Sequence, residues 1–173
     1  MKRWLVFLPL VILMAFVLGC QDQQAFAELE EMRARAELED KSKAIVRHFY
    51  EQLDAGNLDV IGEVLGPTCV LHYPGNVELV GPQGYRDNLA PFLIGLPNFQ
   101  HDIEDMVAVD EKVVARFKIL ATHDGEFYGN APTGKTVTFT AIGIFRVNEE
   151  KIDEAWVEFD ALGLMQQVST SSS

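Results

Sequence analysis

With 173 residues, 14 basic against 26 acidic side chains and a net charge of −12, the chain has room for one domain with a sizeable core. The acidic balance excludes nucleic acid as a partner, because phosphate binding needs a basic surface. Its 2 cysteines are too few for a disulfide-stapled scaffold, so the fold rests on its core.

Met1-Lys2-Arg3 is a short basic start, and Trp4 to Leu18 is an unbroken apolar run with one proline, shorter than the roughly 20 residues of a spanning helix. The pattern predicts a secretory signal over 1–19. It closes on Val17-Leu18-Gly19-Cys20, which resembles the lipobox of bacterial lipoproteins and implies a diacylated Cys20 as the mature N-terminus. An ordinary signal or anchor with an incidental cysteine is the competing reading. On the lipoprotein reading the body is held to a membrane of the cell envelope, outside the cytoplasm. Cys69, beside Val70 and Leu71, then reads as a small buried hydrophobe. Residues 20–40, rich in Glu, Gln, Ala and Arg, read as a partly helical tether, with Phe26, Leu29, Met32 and Ala36 near helical spacing.

The domain proper is expected over 41–168, followed by a disordered tail over 169–173. Ile45, Val46, Phe49, Tyr50 and Leu53 form one helical stripe, closed by Ala55-Gly56-Asn57. A short helix from Leu58 to Leu65 and a strand from Cys69 to Tyr73 follow. Gly81-Pro82 opens a helix whose apolar side is Tyr85, Leu89, Phe92, Leu93 and Leu96, with a kink or a break expected at Pro91. Gln100 to Val109 and Lys112 to His123 read as a hairpin joined at Asp110-Glu111, and Thr136 to Val147 as a strand of clear period two. Strand alternation turns His101 and His123 inward from separate strands.

The last strand is less regular. Alternation sets Ile152, Glu154, Trp156, Glu158 and Asp160 on one face, and an indole in line with three carboxylates reads as a cavity wall rather than a core. The order of elements predicts an α+β fold in which one curved antiparallel sheet, with helices across its concave face, encloses a pocket.

The ordered stretches Thr122-His123-Asp124-Gly125-Glu126-Phe127-Tyr128-Gly129, Pro132-Thr133-Gly134-Lys135, Ile144-Phe145-Arg146, Lys151 to Trp156 and Asp160 to Gln167 resemble the SnoaL-like polyketide cyclase (ester cyclase) family. That family sits within the cone-shaped NTF2-like barrels. The resemblance spans about Lys41 to Val168. It implies an intramolecular aldol cyclisation or isomerisation of a hydrophobic carbonyl compound, with no cofactor and with a last-strand aspartate as general acid/base, here Asp160. His123 is the second catalytic candidate. His72, Tyr73, Tyr85, His101, Arg146, Glu154 and Trp156 are candidates for the substrate pocket, and a homodimer is an expectation from the superfamily.

Each role has a plainer competitor. Asp160 suits the N-cap of a terminal helix from Leu162, His123 suits a hydrogen bond to its own loop, and Glu154 suits an ion pair with Arg146. His72, His101, His123 and Asp160 lack the spacing of a dependable metal motif. The two functional expectations are therefore an acid/base enzyme and a lipid-anchored binding protein whose pocket holds a small hydrophobic molecule without turnover.

Overall fold

The computed structural model describes residues 7–169, with side chains described from Gln23 onward. The expected signal over 1–19, the lipidated Cys20 and the tail from Thr170 fall outside the residues whose side chains are described. Helix α1 runs from Phe7 to Asp54 without interruption. Contacts divide the chain into two units, Met1–Leu38 and Glu39–Ser173. In the first, every described side chain is exposed, including Phe26 and Met32. Among the described residues no helix is long and apolar enough to cross a membrane.

The second unit holds the fold. After the last turns of α1 come α2 (Val60–Val64), β1 (Leu65–Tyr73), β2 (Val77–Val80), α3 (Gly81–Gly95), β3 (Gln100–Val109), β4 (Lys112–Thr122), β5 (Thr136–Asn148), β6 (Lys151–Phe159) and α4 (Ala161–Ser169). The six strands form one sheet in the order β2-β1-β6-β5-β4-β3. Four of the five strand pairings are antiparallel, but β1 pairs with β6 in parallel, so the sheet is mixed rather than wholly antiparallel. The helix from Gly81 is continuous through Pro91.

The core lies between one face of this sheet and the helices. Val113, Ala115, Phe117, Ile119 and Ala121 of β4 and Val137, Phe139, Ala141, Phe145 and Val147 of β5 are buried at alternate positions, as the period-two pattern requires. Val46, Phe49, Tyr50 and Leu53 of α1 pack on them, with Tyr50 and Phe117 ring centroids 4.5 Å apart. Helix α4 is pinned to β5 by the Gln167 side chain, whose Oε1 accepts from Thr138 N at 2.9 Å and whose Nε2 donates to Thr138 O at 2.8 Å.

Of the three register shifts in the sheet, those in β3 and β6 re-aim side chains near the site. Near Glu104 the pairing of β3 with β4 slips between Ile103 and Asp105, so Met106 and Ala108 turn inward while Val107 and Val109 are exposed. At Asp153 the pairing of β5 with β6 slips between Arg146 and Val147. Ile152 is therefore buried with Ala155 and Val157, and Glu154, Trp156 and Glu158 turn to the opposite, outer face of the sheet.

Candidate active site

The last turn of α1 and the first residues of β3 meet at an imidazole and a carboxylate. Asp54 lies one helical turn beyond Tyr50, on the same face of α1. Its Oδ2 accepts the backbone N–H of His101 at 2.7 Å, and its Oδ1 lies 2.6 Å from His101 Nδ1. A carboxylate accepts and does not donate, so the proton of this pair belongs on Nδ1 and Nε2 carries the free lone pair. No described residue engages Nε2. The ring is fixed by Tyr50, Phe99 and Phe117, with centroids 4.7, 5.3 and 6.0 Å away, and the two side chains retain only 12% and 14% of their accessible surface.

His101 lines a cavity of ≈ 80 Å³ walled by Tyr50, Tyr73, Tyr85, Phe117, Phe139 and Val157, among others. Burial raises the pKa of the Tyr50, Tyr73 and Tyr85 hydroxyls, so all three are neutral donors near neutral pH. The shift has a consequence for stability. A phenol whose folded pKa lies above its unfolded value of about 10 contributes stability that is complete below that pH and is lost as pH climbs through the folded value. Melting temperatures are accordingly expected to fall as pH rises from about 10 to about 12. A flat profile across that range would mean that these phenols are hydrated.

A second cavity of ≈ 430 Å³ adjoins the first and shares Tyr73, Asn88, Phe92 and Phe159 with it. Its outer walls include Phe127 and Tyr128 of the β4–β5 loop and Leu164 and Met165 of α4. The loop is docked on the end of α3, where Asp124 N and Gly125 N donate to Gly95 O at 3.1 and 3.2 Å. A Cβ on Gly125 would lie 2.0 Å from Ile94 O, so only glycine permits this approach. Inside the loop His123 is fully buried; its Nδ1 meets Thr133 Oγ1 at 3.1 Å and its carbonyl accepts Gly134 N at 2.9 Å.

The sequence profile of the SnoaL-like polyketide cyclases matches residues 44–168, nearly the whole second unit. The chain belongs to the SnoaL-like polyketide cyclase family. Its fold is similar to that of a SnoaL-like protein from Jannaschia sp. CCS1, at 21% identity and a TM-score of 0.72 over 78% of this chain and 96% of that one. A polyketide-cyclase-like protein from Bacillus cereus ATCC 10987 is 27% identical, with a TM-score of 0.64 over 76% of this chain and 83% of its own. An NTF2-like protein of Burkholderia pseudomallei K96243 shares the fold at 13% identity, with a TM-score of 0.64 over 75% and 98% of the two chains. No curated protein matches the sequence.

Within this SnoaL-like domain the expected site residues separate into three groups. Tyr73, Tyr85 and His101 line the inner cavity. His72, Arg146, Glu154 and Trp156 do come together, but on the outer face of the sheet, because the slip at Asp153 turns the Glu154 and Trp156 row outward. There Glu154 accepts from Arg146 Nη2 through Oε2 and lies 3.0 Å from His72 Nε2 through Oε1, while the His72 ring stacks on Trp156 with centroids 5.3 Å apart. The cavity wall expected from the last strand is instead Val157 and Phe159.

Asp160 and His123, the expected catalytic pair, form the third group, and neither lines either cavity. Asp160 is exposed and caps α4: its Oδ1 accepts Gly163 N at 2.8 Å and its carbonyl accepts Leu164 N at 3.0 Å. Asp160→Ala is expected to cost about 1 kcal/mol of stability and to leave turnover at the pocket unaltered. A collapse of turnover without a loss of stability would return Asp160 to the chemistry. Among the described residues no group of three or more His, Cys, Asp or Glu side chains is placed to hold a metal ion.

Asp54 and Asn88 escaped the sequence reading. For Asp54 a signal existed: it extends the stripe Val46-Tyr50 by one turn, placing a carboxylate at the inner end of an otherwise apolar face.

Proposed function

We propose that this SnoaL-like domain binds a hydrophobic carbonyl compound and rearranges it by acid/base chemistry centred on His101. The observation that supports this reading is the imidazole held by Asp54 at 2.6 Å at the wall of an aromatic, largely apolar cavity. His101 Nε2 takes a proton from the carbon beside a carbonyl, and the C–H electron pair moves onto the carbonyl oxygen as an enolate. The neutral tyrosine hydroxyls of the cavity donate to that oxygen as its charge develops. Attack of the enolate carbon on a second carbonyl of the same molecule forms the new C–C bond, and the His101 imidazolium returns the proton to the resulting alkoxide. Return of the proton to a different carbon would instead give isomerisation. No cofactor enters these steps.

The N-terminal pattern supports a further part of the proposal, that Cys20 is lipidated and holds the domain at the cell envelope outside the cytoplasm. Exposed Ile142 and Ile144, beside Trp156 on the outer sheet face, support a homodimer. A non-catalytic, lipid-anchored receptor is the second reading, favoured by the ample apolar lining.

The test incubates the purified protein with a library of small hydrophobic ketones and esters and follows thermal shift and mass change for wild type and His101→Ala. Conversion by wild type with binding alone by the variant supports the enzyme. Equal binding and no conversion by either supports the receptor.

A further inference from the structure

The following rests on the reading of His101 and Asp54 as the reacting pair. The cavities meet at a neck where Tyr73, Asn88, Phe92 and Phe159 face both, with Phe92 and Phe159 edge to face at 6.1 Å. Two polar groups interrupt this apolar passage. The Tyr73 hydroxyl is engaged by the hydroxyl of Tyr85. The Asn88 amide is different: it is half-buried in the middle of α3, and no described residue hydrogen-bonds to it. An amide offers two donors and an acceptor, and in a largely apolar passage those groups need partners from water or ligand.

Size sets the rest of the ligand's shape. The inner cavity has ≈ 80 Å³ of space, whereas a dry cavity of about 150 Å³ is known to admit a benzene ring. The inner cavity therefore takes a carbonyl head smaller than a ring, and the bulk of the ligand lies in the outer cavity. The outer cavity, at ≈ 430 Å³ and lined by Val77, Phe127, Leu164 and Met165, takes an apolar tail.

We infer that Asn88 is the specificity-determining residue of this pocket, and that it reads a second oxygen on a slender ligand whose carbonyl head sits at His101 and whose alkyl tail fills the outer cavity. The amide N–H donates to a second carbonyl, or the amide oxygen accepts from a hydroxyl, a few bonds from the reacting carbon. That contact fixes which carbon of the chain lies against Nε2. It also supplies the polar partner that a plain hydrocarbon chain would leave missing, at the cost of an unpaired amide.

The test uses three probes on the full protein by calorimetry: a straight-chain methyl ketone, the same chain with a hydroxyl or carbonyl a few bonds further along, and a fused tricyclic aromatic ketone. Wild type is expected to bind the doubly oxygenated chain about fivefold to tenfold more tightly than the plain ketone. Each added tail methylene is expected to tighten binding by about fourfold until the outer cavity is full. The tricycle, too large for the inner cavity, should bind no more tightly than the plain ketone. In Asn88→Leu and Asn88→Ala the preference for the second oxygen should vanish while the gain per methylene persists, and His101→Ala should keep both.

Equal preference in wild type and both Asn88 variants, tight binding of the tricycle, or no binding of any chain by wild type would each overturn the inference. If the Asn88-dependent preference is present but no probe exchanges or rearranges, the acid/base reading fails and the assignment of Asn88 stands. If turnover occurs with no Asn88 dependence, the converse holds.

Discussion

His101→Ala is expected to lower turnover by roughly 10²–10⁴-fold, the usual contribution of a positioned general acid/base, with much smaller losses in ligand affinity. The separation follows from geometry. His101 is one wall among many around the inner cavity, so its truncation removes little of the apolar contact that holds a ligand, yet it removes the only imidazole there. Asp54→Asn tests the same unit from its other side. Asp54 accepts both the His101 backbone N–H at 2.7 Å and Nδ1 at 2.6 Å. An asparagine can keep the backbone bond through its oxygen only by turning its NH₂ toward Nδ1, which forces the proton onto Nε2 and removes the lone pair that faces substrate. Asp54→Asn is therefore expected to lose as much turnover as His101→Ala, and the double variant to lose little more than either alone, because the two act as one device. Steady-state kinetics with the best substrate of the ketone and ester library reads this directly; additive losses would separate the two residues.

Phe117→Ala is expected to destabilise the domain by about 3–5 kcal/mol, the range for an aromatic lost from a packed core. Phe117 is 2% exposed, and its ring meets Tyr50 at 4.5 Å, His101 at 6.0 Å and Phe145 at 6.5 Å. It thus supports the helix, the sheet and the His101 imidazole at once. Set against a total stability of about 5–15 kcal/mol for domains of this kind, the loss is large. Thermal melts should show a fall of roughly 10–20 °C. A shift of only a few degrees would mean that Tyr50 and Phe145 collapse into the gap. Phe117→Leu, which keeps much of the volume, should recover a good part of the loss.

The sheet was legible where alternation runs unbroken. In β4 and β5 the alternate positions of the period-two pattern are buried, His123 just past β4 is buried as expected, and the apolar stripe of α1 packs as read. The α+β architecture follows from those elements, and the family match covers the same stretch. What alternation could not show were the slips near Glu104 and Asp153, since a bulge changes the phase without changing the composition around it. Ile152 is buried, and extending its phase by two residues at a time carried Trp156 and Glu154 to the wrong face. Strand β2 went unseen because Val77–Val80 is only 4 residues long and mostly exposed, so it has no buried face to signal it.

The site was half legible for a related reason. His101 stands before the slip in β3 and Tyr85 on the apolar stripe of α3, so both reach the cavity as read, whereas of the neighbours His72 and Tyr73, both expected there, alternation along β1 sends only Tyr73 inward. Asp54 continues the apolar stripe of α1, which marks it as inward-facing, but its partner lies 47 positions away and nothing local in the sequence names His101 as that partner. Asp160 drew attention as a carboxylate near the end of the last strand, but the residue after a strand and before a helix is also where an N-cap is needed, and the Gly163 N–H at 2.8 Å takes up its Oδ1.

The central claim, that His101 Nε2 acts as a base on a bound carbonyl compound, can be tested before the natural substrate is known. A straight-chain methyl ketone is incubated with the protein in D₂O, and deuterium entering the carbon beside the carbonyl is followed by mass spectrometry. Exchange catalysed by wild type and by Asp160→Ala, and reduced to the uncatalysed rate in His101→Ala and Asp54→Asn, is the predicted result. Exchange that survives in His101→Ala, or that is lost in Asp160→Ala while His101→Ala retains it, would contradict the assignment.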